Sequence, residues 1–192
     1  NTLYMSIGYA GLAIVDISDP TAPYTLGIFD TGGSPFDMAS AFGYLYVLTG
    51  DALNVVDISA PHAPQIINRL ELPAASRLAI HGDLALVSSR MCLNPDDTGG
   101  LAVVSLSNPA RPALLNIPPD VPCGISEITA LDHYAILAAT LSGVLAVDIS
   151  NPSAPFLSAR FPTPSLAIRF VTEGDLIYAL DELAGLYVLR LP

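Results

Sequence analysis

Lysine and tryptophan are absent from this 192-residue chain, cysteine occurs twice, and charged residues make up only 13%. Without lysine, the basic complement is seven arginines against 18 acids, for a net charge of −11. The arginines (Arg69, Arg77, Arg90, Arg111, Arg160, Arg169 and Arg190) are scattered along the chain. A nucleic-acid surface needs several basic side chains to displace counterions from phosphates. The chain would repel that polymer, and anionic lipid too, so neither is expected as a partner. Charge is also too scarce, beside 52% apolar residues, for a disordered chain. Long apolar runs are missing as well. The longest, such as LALV (84–87) and YAILAAT (134–140), fall far short of the ~20 residues of a membrane helix.

What is present is a phrase written several times. GLAIVDISDPTAP (11–23), ALNVVDISAPHAP (52–64), GLAVVSLSNPARP (100–112) and GVLAVDISNPSAP (143–155) are followed by a terminal GLYVLRLP (185–192). The position of Asp16 recurs at Asp57, Ser105, Asp148 and Arg190, at intervals of 41, 48, 43 and 42 residues. About six apolar, β-branched-rich residues closed by Ser-x-Pro-x-x-Pro read as a buried strand and a turn. They cannot form a helix interior, because the second proline arrives before two turns could form.

A second signal lies between the copies, in AFGYLYVLTG (41–50), IHGDLALVSS (80–89), LDHYAILAAT (131–140) and TEGDLIYALD (172–181). Each sets Gly43, Gly82, His133 or Gly174 between two apolar runs. A hairpin turn residue with positive φ is expected there. Four strands per period follow, in one unit at roughly 24–30, 36–41, 44–49 and 52–58. Four short antiparallel strands every forty-odd residues are the blade pattern of a β-propeller. Blades covered on both faces also explain strands apolar at successive positions, as in LAIVDI.

The phrase resembles the LVIVD repeat, a module of bacterial and archaeal cell-surface proteins expected to form propeller blades. Ser105 and Arg190 depart from its aspartate. The resemblance covers nearly the whole chain and implies a cell-surface or secreted context. It brings no general activity, so no catalytic residue, metal or cofactor is assigned. The expected function is a non-enzymatic scaffold or protein-binding module with a protein partner or assembly. The rival is a propeller enzyme or ligand-binding receptor completed by further blades. The expected repeats are 1–18 (half a blade), 19–59, 60–107, 108–150 and 151–192 in a single domain. That makes about four and a half blades, a fragment of a larger propeller.

Asp16, Asp57 and Asp148 precede proline-bearing turns and are expected to accept hydrogen bonds from turn amides. Arg90, Asn94, Asp96 and Asp97 in the long segment SRMCLNPDDTGG (89–100) are candidate binding residues, because insertions in repeat proteins often carry function. Tyr44 and Tyr134, at equivalent turn-side positions, are further candidates. In propeller topology Cys92 and Cys123 fall in loops on the same face of adjacent blades. A disulfide between them, closing about thirty residues, is expected to stabilise the fold by roughly 3–4 kcal/mol. The three histidines, all in turns, are read as solvated residues.

Overall fold

The computed structural model describes residues 1–89 and 99–191. The chain divides into two compact units, Asn1–Ser76 with Asn108–Pro112, and Arg77–Ser107 with Ala113–Pro192. Both are built from antiparallel sheets whose strands follow one another in chain order.

The first unit holds two sheets. One is β1 (Thr2–Ser6), β2 (Leu12–Asp16) and β3 (Tyr24–Phe29). The other is β4 (Asp37–Ala41), β5 (Tyr44–Leu48), β6 (Ala52–Asp57) and β7 (Gln65–Glu71). Their facing surfaces interlock through Leu12, Tyr4 and Phe29 of the first and Leu45, Val47 and Val56 of the second. The segment between them, 30–36, is tied down by its own polar groups. Thr31 Oγ1 donates to Gly33 O at 2.6 Å, Asn54 Nδ2 donates to Thr31 O at 3.3 Å, and Ser6 Oγ donates to Pro35 O at 3.1 Å.

The second unit holds three sheets. They are β8 (Ala75–His81), β9 (Leu84–Ser89), β10 (Leu101–Ser105) and β11 (Ala113–Asn116); then β12 (Ile125–Leu131), β13 (Tyr134–Ala139), β14 (Gly143–Asp148) and β15 (Phe156–Phe161); then β16 (Ala167–Glu173), β17 (Leu176–Asp181) and β18 (Gly185–Arg190). Alternate residues of a strand point to opposite faces. Leu145 and Val147 of β14 therefore enter the core shared with β9 and β10, and Val144 and Ala146 enter the core shared with β16 and β17. This burial on both sides is why the repeated phrase has no polar alternation.

The expected fold class holds: the chain is all-β and made of blade-like antiparallel sheets. The strands expected at 24–30, 36–41, 44–49 and 52–58 form at 24–29, 37–41, 44–48 and 52–57. Their grouping differs from the expectation by one strand. Residues 24–29 pair with β2, not with the sheet that follows. The reason is the proline turn. In Asp19-Pro20-Thr21-Ala22 the Ala22 N–H donates to Asp19 O at 3.1 Å, which folds the chain straight back. The same i to i+3 bond recurs at Ala63 to Ala60, Arg111 to Asn108 and Ala154 to Asn151. Proline sits at the second position, where its fixed φ suits a tight turn. The motif that looked like a boundary between blades is a hairpin within one. The connection between sheets is the next segment, such as 30–36.

The first hairpin of each complete repeat also differs in detail. Positive φ falls on Phe42 and Gly43, on Gly82, on Asp132 and on Gly174. Pairing of Leu131 with Tyr134 makes Asp132 the first of two turn residues, and His133 the second, without positive φ. Aspartate tolerates the left-handed region better than most residues, so it takes the position expected for His133.

Candidate functional site

The turn aspartates sit at the end of each third strand. Asp16 Oδ1 accepts from Ser18 N at 2.7 Å, Asp57 Oδ1 from Ser59 N at 2.8 Å, and Asp148 Oδ1 from Ser150 N at 2.8 Å and Ser150 Oγ at 2.6 Å. Ser105 Oγ accepts from Ser107 N at 3.2 Å in the same way. The bonds from Ser18, Ser59 and Ser150 hold the three carboxyls below their ordinary pKa. At the matching place Arg190 makes an ion pair with Asp175 at 2.9 Å instead.

Tyr44 pairs with Asp57 and Tyr134 with Asp148, so both tyrosines lie at the hairpin end of their sheets. Tyr134 packs against the His133 ring, with centroids 4.2 Å apart. Arg90, Cys92, Asn94, Asp96 and Asp97 fall in the sequence between β9 and β10. Those five residues lie outside the described residues. Of the expected binding residues only Tyr44, in the first unit, and Tyr134, in the second, are among the described residues. Cys123 is buried beside Gly124, whose N–H donates to Ser89 O at 3.2 Å. Among the described residues there is no free cysteine.

Two further arrays emerge that the sequence analysis did not single out. The first is a charge on the first strand of four of the sheets, β4, β8, β12 and β16. Glu127 pairs with Ala138 and Arg169 with Leu180, which are register-equivalent positions. Arg77 stands five residues before Gly82, as Glu127 does before Asp132 and Arg169 before Gly174. Asp37 has the same spacing from Phe42 in the first unit. The second unit therefore carries arginine, glutamate and arginine in one register on β8, β12 and β16. Arg77 Nε donates to Ser126 O at 2.9 Å, tying β8 to β12. A cleft of about 390 Å³ beside Glu127 and Thr129 opens toward Phe170 and Thr172. The fixed distance to the hairpin turn was the signal, obscured because the residue alternates in sign.

The second array lies on the connections β1 to β2, β13 to β14 and β17 to β18. Tyr9, Leu141 and Leu183 are 94%, 84% and 83% exposed. They occupy one motif: Tyr9-Ala10-Gly11, Leu141-Ser142-Gly143 and Leu183-Ala184-Gly185. All three glycines have positive φ. Gly11 and Gly143 also lie against a neighbouring strand, where a Cβ would collide with Phe29 O or Phe161 O. The glycine that opens the repeated phrase thus serves both a left-handed turn and a close backbone approach. Asp181, itself buried, fixes the third of these turns by accepting from Leu183 N at 3.0 Å and Ala184 N at 2.7 Å. Burial pushes its carboxyl up, but the backbone donors at Ala184, Ser165 and Leu183 outweigh it, and the pKa lies below the ordinary value.

Among the described residues no group of three or more His, Cys, Asp or Glu is placed to hold a metal ion, and no helix is long and apolar enough to cross a membrane.

Sheets of three or four antiparallel strands in chain order, packed on one another through apolar faces within each unit, define a blade-built protein of the β-propeller class. Solved structures agree. The computationally designed Ika8 protein matches at TM-score 0.77 with 11% identity, over 100% of this chain and 56% of its own. A functionally unknown protein from Desulfotomaculum acetoxidans DSM 771 matches at 0.76 with 15% identity, over 100% of this chain and 65% of its own. BamB from Moraxella catarrhalis matches at 0.69 with 14% identity, over 99% of this chain and 54% of its own. The chain therefore spans between about half and two thirds of these three proteins, and at such identities the likeness is one of fold. No curated protein matches the sequence. The LVIVD repeat model matches residues 1–31, 37–71, 74–117 and 126–163. The chain belongs to the LVIVD repeat family, and the matched segments follow the sheets in phase.

Proposed function

We propose that this chain is a non-enzymatic, protein-binding part of a cell-surface or secreted bacterial or archaeal protein, and that it meets its partner through the connections β13 to β14 and β17 to β18. The observation that carries the reading is the recurrence of a large, almost fully exposed apolar side chain at Tyr9, Leu141 and Leu183. One exposed leucine is ordinary, but Leu141 and Leu183, at equivalent connections of the second unit, make a patterned surface there, and Tyr9 repeats the exposure in the first unit. An aromatic or aliphatic side chain that a partner takes into a fitted pocket can anchor an interface. Membership of the LVIVD family supports the extracellular setting.

A photo-crosslinking side chain at position 141 or 183, in the producing cell, tests this. A discrete protein adduct is expected at both, and none with the same group at position 153 in the proline turn. Equal labelling at all three positions, or none, would overturn it.

The disulfide belongs to the same reading. Cys92 is its partner candidate, and the lack of a free cysteine among the described residues supports it. Thiol titration of the denatured, unreduced chain should find no thiol; finding two would end the proposal.

A second reading, a receptor for a small charged ligand, is favoured by Arg77, Glu127 and Arg169 in one register. First strands of propeller blades line the axis, where alternating charges suit a zwitterion. An Arg169→Ala variant that loses binding of such a ligand while keeping its crosslinks at 141 would favour this reading.

A further inference from the structure

The wedges between neighbouring first strands of the second unit are filled differently. Between β8 and β12, Arg77 reaches across and donates from Nε to Ser126 O at 2.9 Å. A guanidinium thus bridges that wedge, held on the carbonyl just before the next strand's charged residue. Between β12 and β16 the residue in this register is Glu127, whose carboxylate can only accept. There the chain leaves a cleft of about 390 Å³, lined by Glu127, Ile128 and Thr129 of β12 and by Phe170, Val171 and Thr172 of β16. Both walls belong to the same compact unit.

The polar side chains of this cleft are idle. Glu127 is half-buried, yet among the described residues it has no ion pair and no hydrogen-bond partner. The hydroxyls of Thr129 and Thr172 have none either. Side-chain donors are scarce beside them. Ser126 Oγ lies 3.1, 3.1 and 3.0 Å from Ala138 O, Ala167 O and Ile168 O, with one hydrogen for the three. A half-drained carboxylate without a partner is costly, and a cation that donates several hydrogen bonds would relieve it.

We propose that the cleft between β12 and β16 binds a small guanidinium compound. Glu127 accepts two parallel bonds from the planar fork. Thr129 and Thr172 offer further acceptors. Phe170 supplies an aromatic wall, on which a planar guanidinium stacks better than a compact ammonium. Ile128 and Val171 leave room for a short aliphatic body. Arg169, in the same register on β16, is not among the residues lining the cleft. A calcium ion is a poorer fit: it takes about six to eight oxygens, and one carboxylate stands here with two hydroxyls and a phenyl ring. The occupant does from outside what Arg77 does from within the chain one wedge earlier. The inference rests on the second reading above, that this register holds a small charged ligand, and puts a cation in place of the zwitterion. It is independent of the contacts at Leu141 and Leu183.

The probe is n-butylguanidinium chloride, titrated calorimetrically into the full chain at about 0.15 M salt, where loose attraction to a net charge of −11 is screened. Saturable one-to-one binding is expected, with new amide-exchange protection confined to 127–129 and 170–172. n-Butylurea, which is neutral and similar in shape, should bind at least tenfold more weakly, and so should n-butylammonium. Glu127→Gln should lose at least tenfold in affinity, and Glu182→Gln, on the surface, nothing. The two analogues test the parent chain itself, so the outcome does not hang on the folding of a variant. Absence of butylguanidinium binding, equal binding of butylurea or butylammonium, or unchanged affinity in Glu127→Gln would overturn the proposal. Binding of 4-aminobutyrate without butylguanidinium, lost in Arg169→Ala, would overturn it while upholding the zwitterion reading.

Discussion

At the scale of single residues, the turn caps make an acid-sensitive set. Asp16, Asp57 and Asp148 have folded-state pKa values below the ordinary carboxylate value, first through their hydrogen bonds to Ser18, Ser59 and Ser150. Their contribution is therefore complete above the unfolded value near 4 and is lost as pH falls through the lower folded value. The variant combining Asp16→Asn, Asp57→Asn and Asp148→Asn should be less stable than the parent at pH 7. The gap should narrow as urea unfolding is repeated toward pH 3. Glycine gives a second prediction. Gly143→Ala combines a positive φ with a collision against Phe161 O, whereas Gly185→Ala meets only the φ penalty. Backbone strain of this kind costs about 1–3 kcal/mol, so both variants should lower the unfolding midpoint, with position 143 losing distinctly more. The aspartates and phrase glycines were legible because each repeats beside a fixed motif. The charged row at Arg77, Glu127 and Arg169 was not, because periodicity of position without periodicity of residue type is easily missed.

At the scale of the element, every outer strand carries a bulge at one place. The register skips one residue between Ile14 and Val15, Val55 and Val56, Val103 and Val104, and Ala146 and Val147. The residues left over are Leu26, Ile67, Leu115 and Ser158. A bulge sharpens the twist of an outer strand and makes it a poor template for a foreign one. Deleting Ser158 should rotate part of β15 by one residue and turn Leu157 out of its core. A loss of about 2 kcal/mol in urea titration is expected, the lower range for removing a buried leucine contact. Nothing in the sequence announced the bulges, since the extra residue is leucine, isoleucine or serine and the backbone alone defines it. Strand positions themselves were legible to within a residue or two, because proline and the hairpin turn residues bracket them. The grouping of strands was not, because a proline turn reads the same within a sheet as between sheets.

At the scale of the molecule, equivalent strand positions differ in burial. On β18, Leu186 and Val188 are 63% and 58% exposed, where Val144 and Ala146 on β14 are buried. On β1, Leu3 and Met5 are exposed as well. A charge should therefore be tolerated at one face and not at the other. Val188→Asp is expected to stay within ~0.5 kcal/mol of the parent in chemical unfolding, while Val147→Asp, fully buried between sheets, should prevent folding. The propeller class was legible from the period and from strands apolar on both faces. The partition into two compact units was not, since one division falls at Ser76 and Arg77, between copies of the repeated phrase, and the other inside the copy at 100–112.

Strands that pair only with their neighbours in sequence make the polypeptide a row of separately fastened pleats. Pulled from its two ends, such a row should come apart one pleat at a time. With a repeat of 41 residues at about 3.5 Å each when stretched, each release should lengthen the tether by roughly 14 nm in an optical trap. A single rupture of the whole chain would mean that the pleats are bolted to one another more firmly than their connectivity implies.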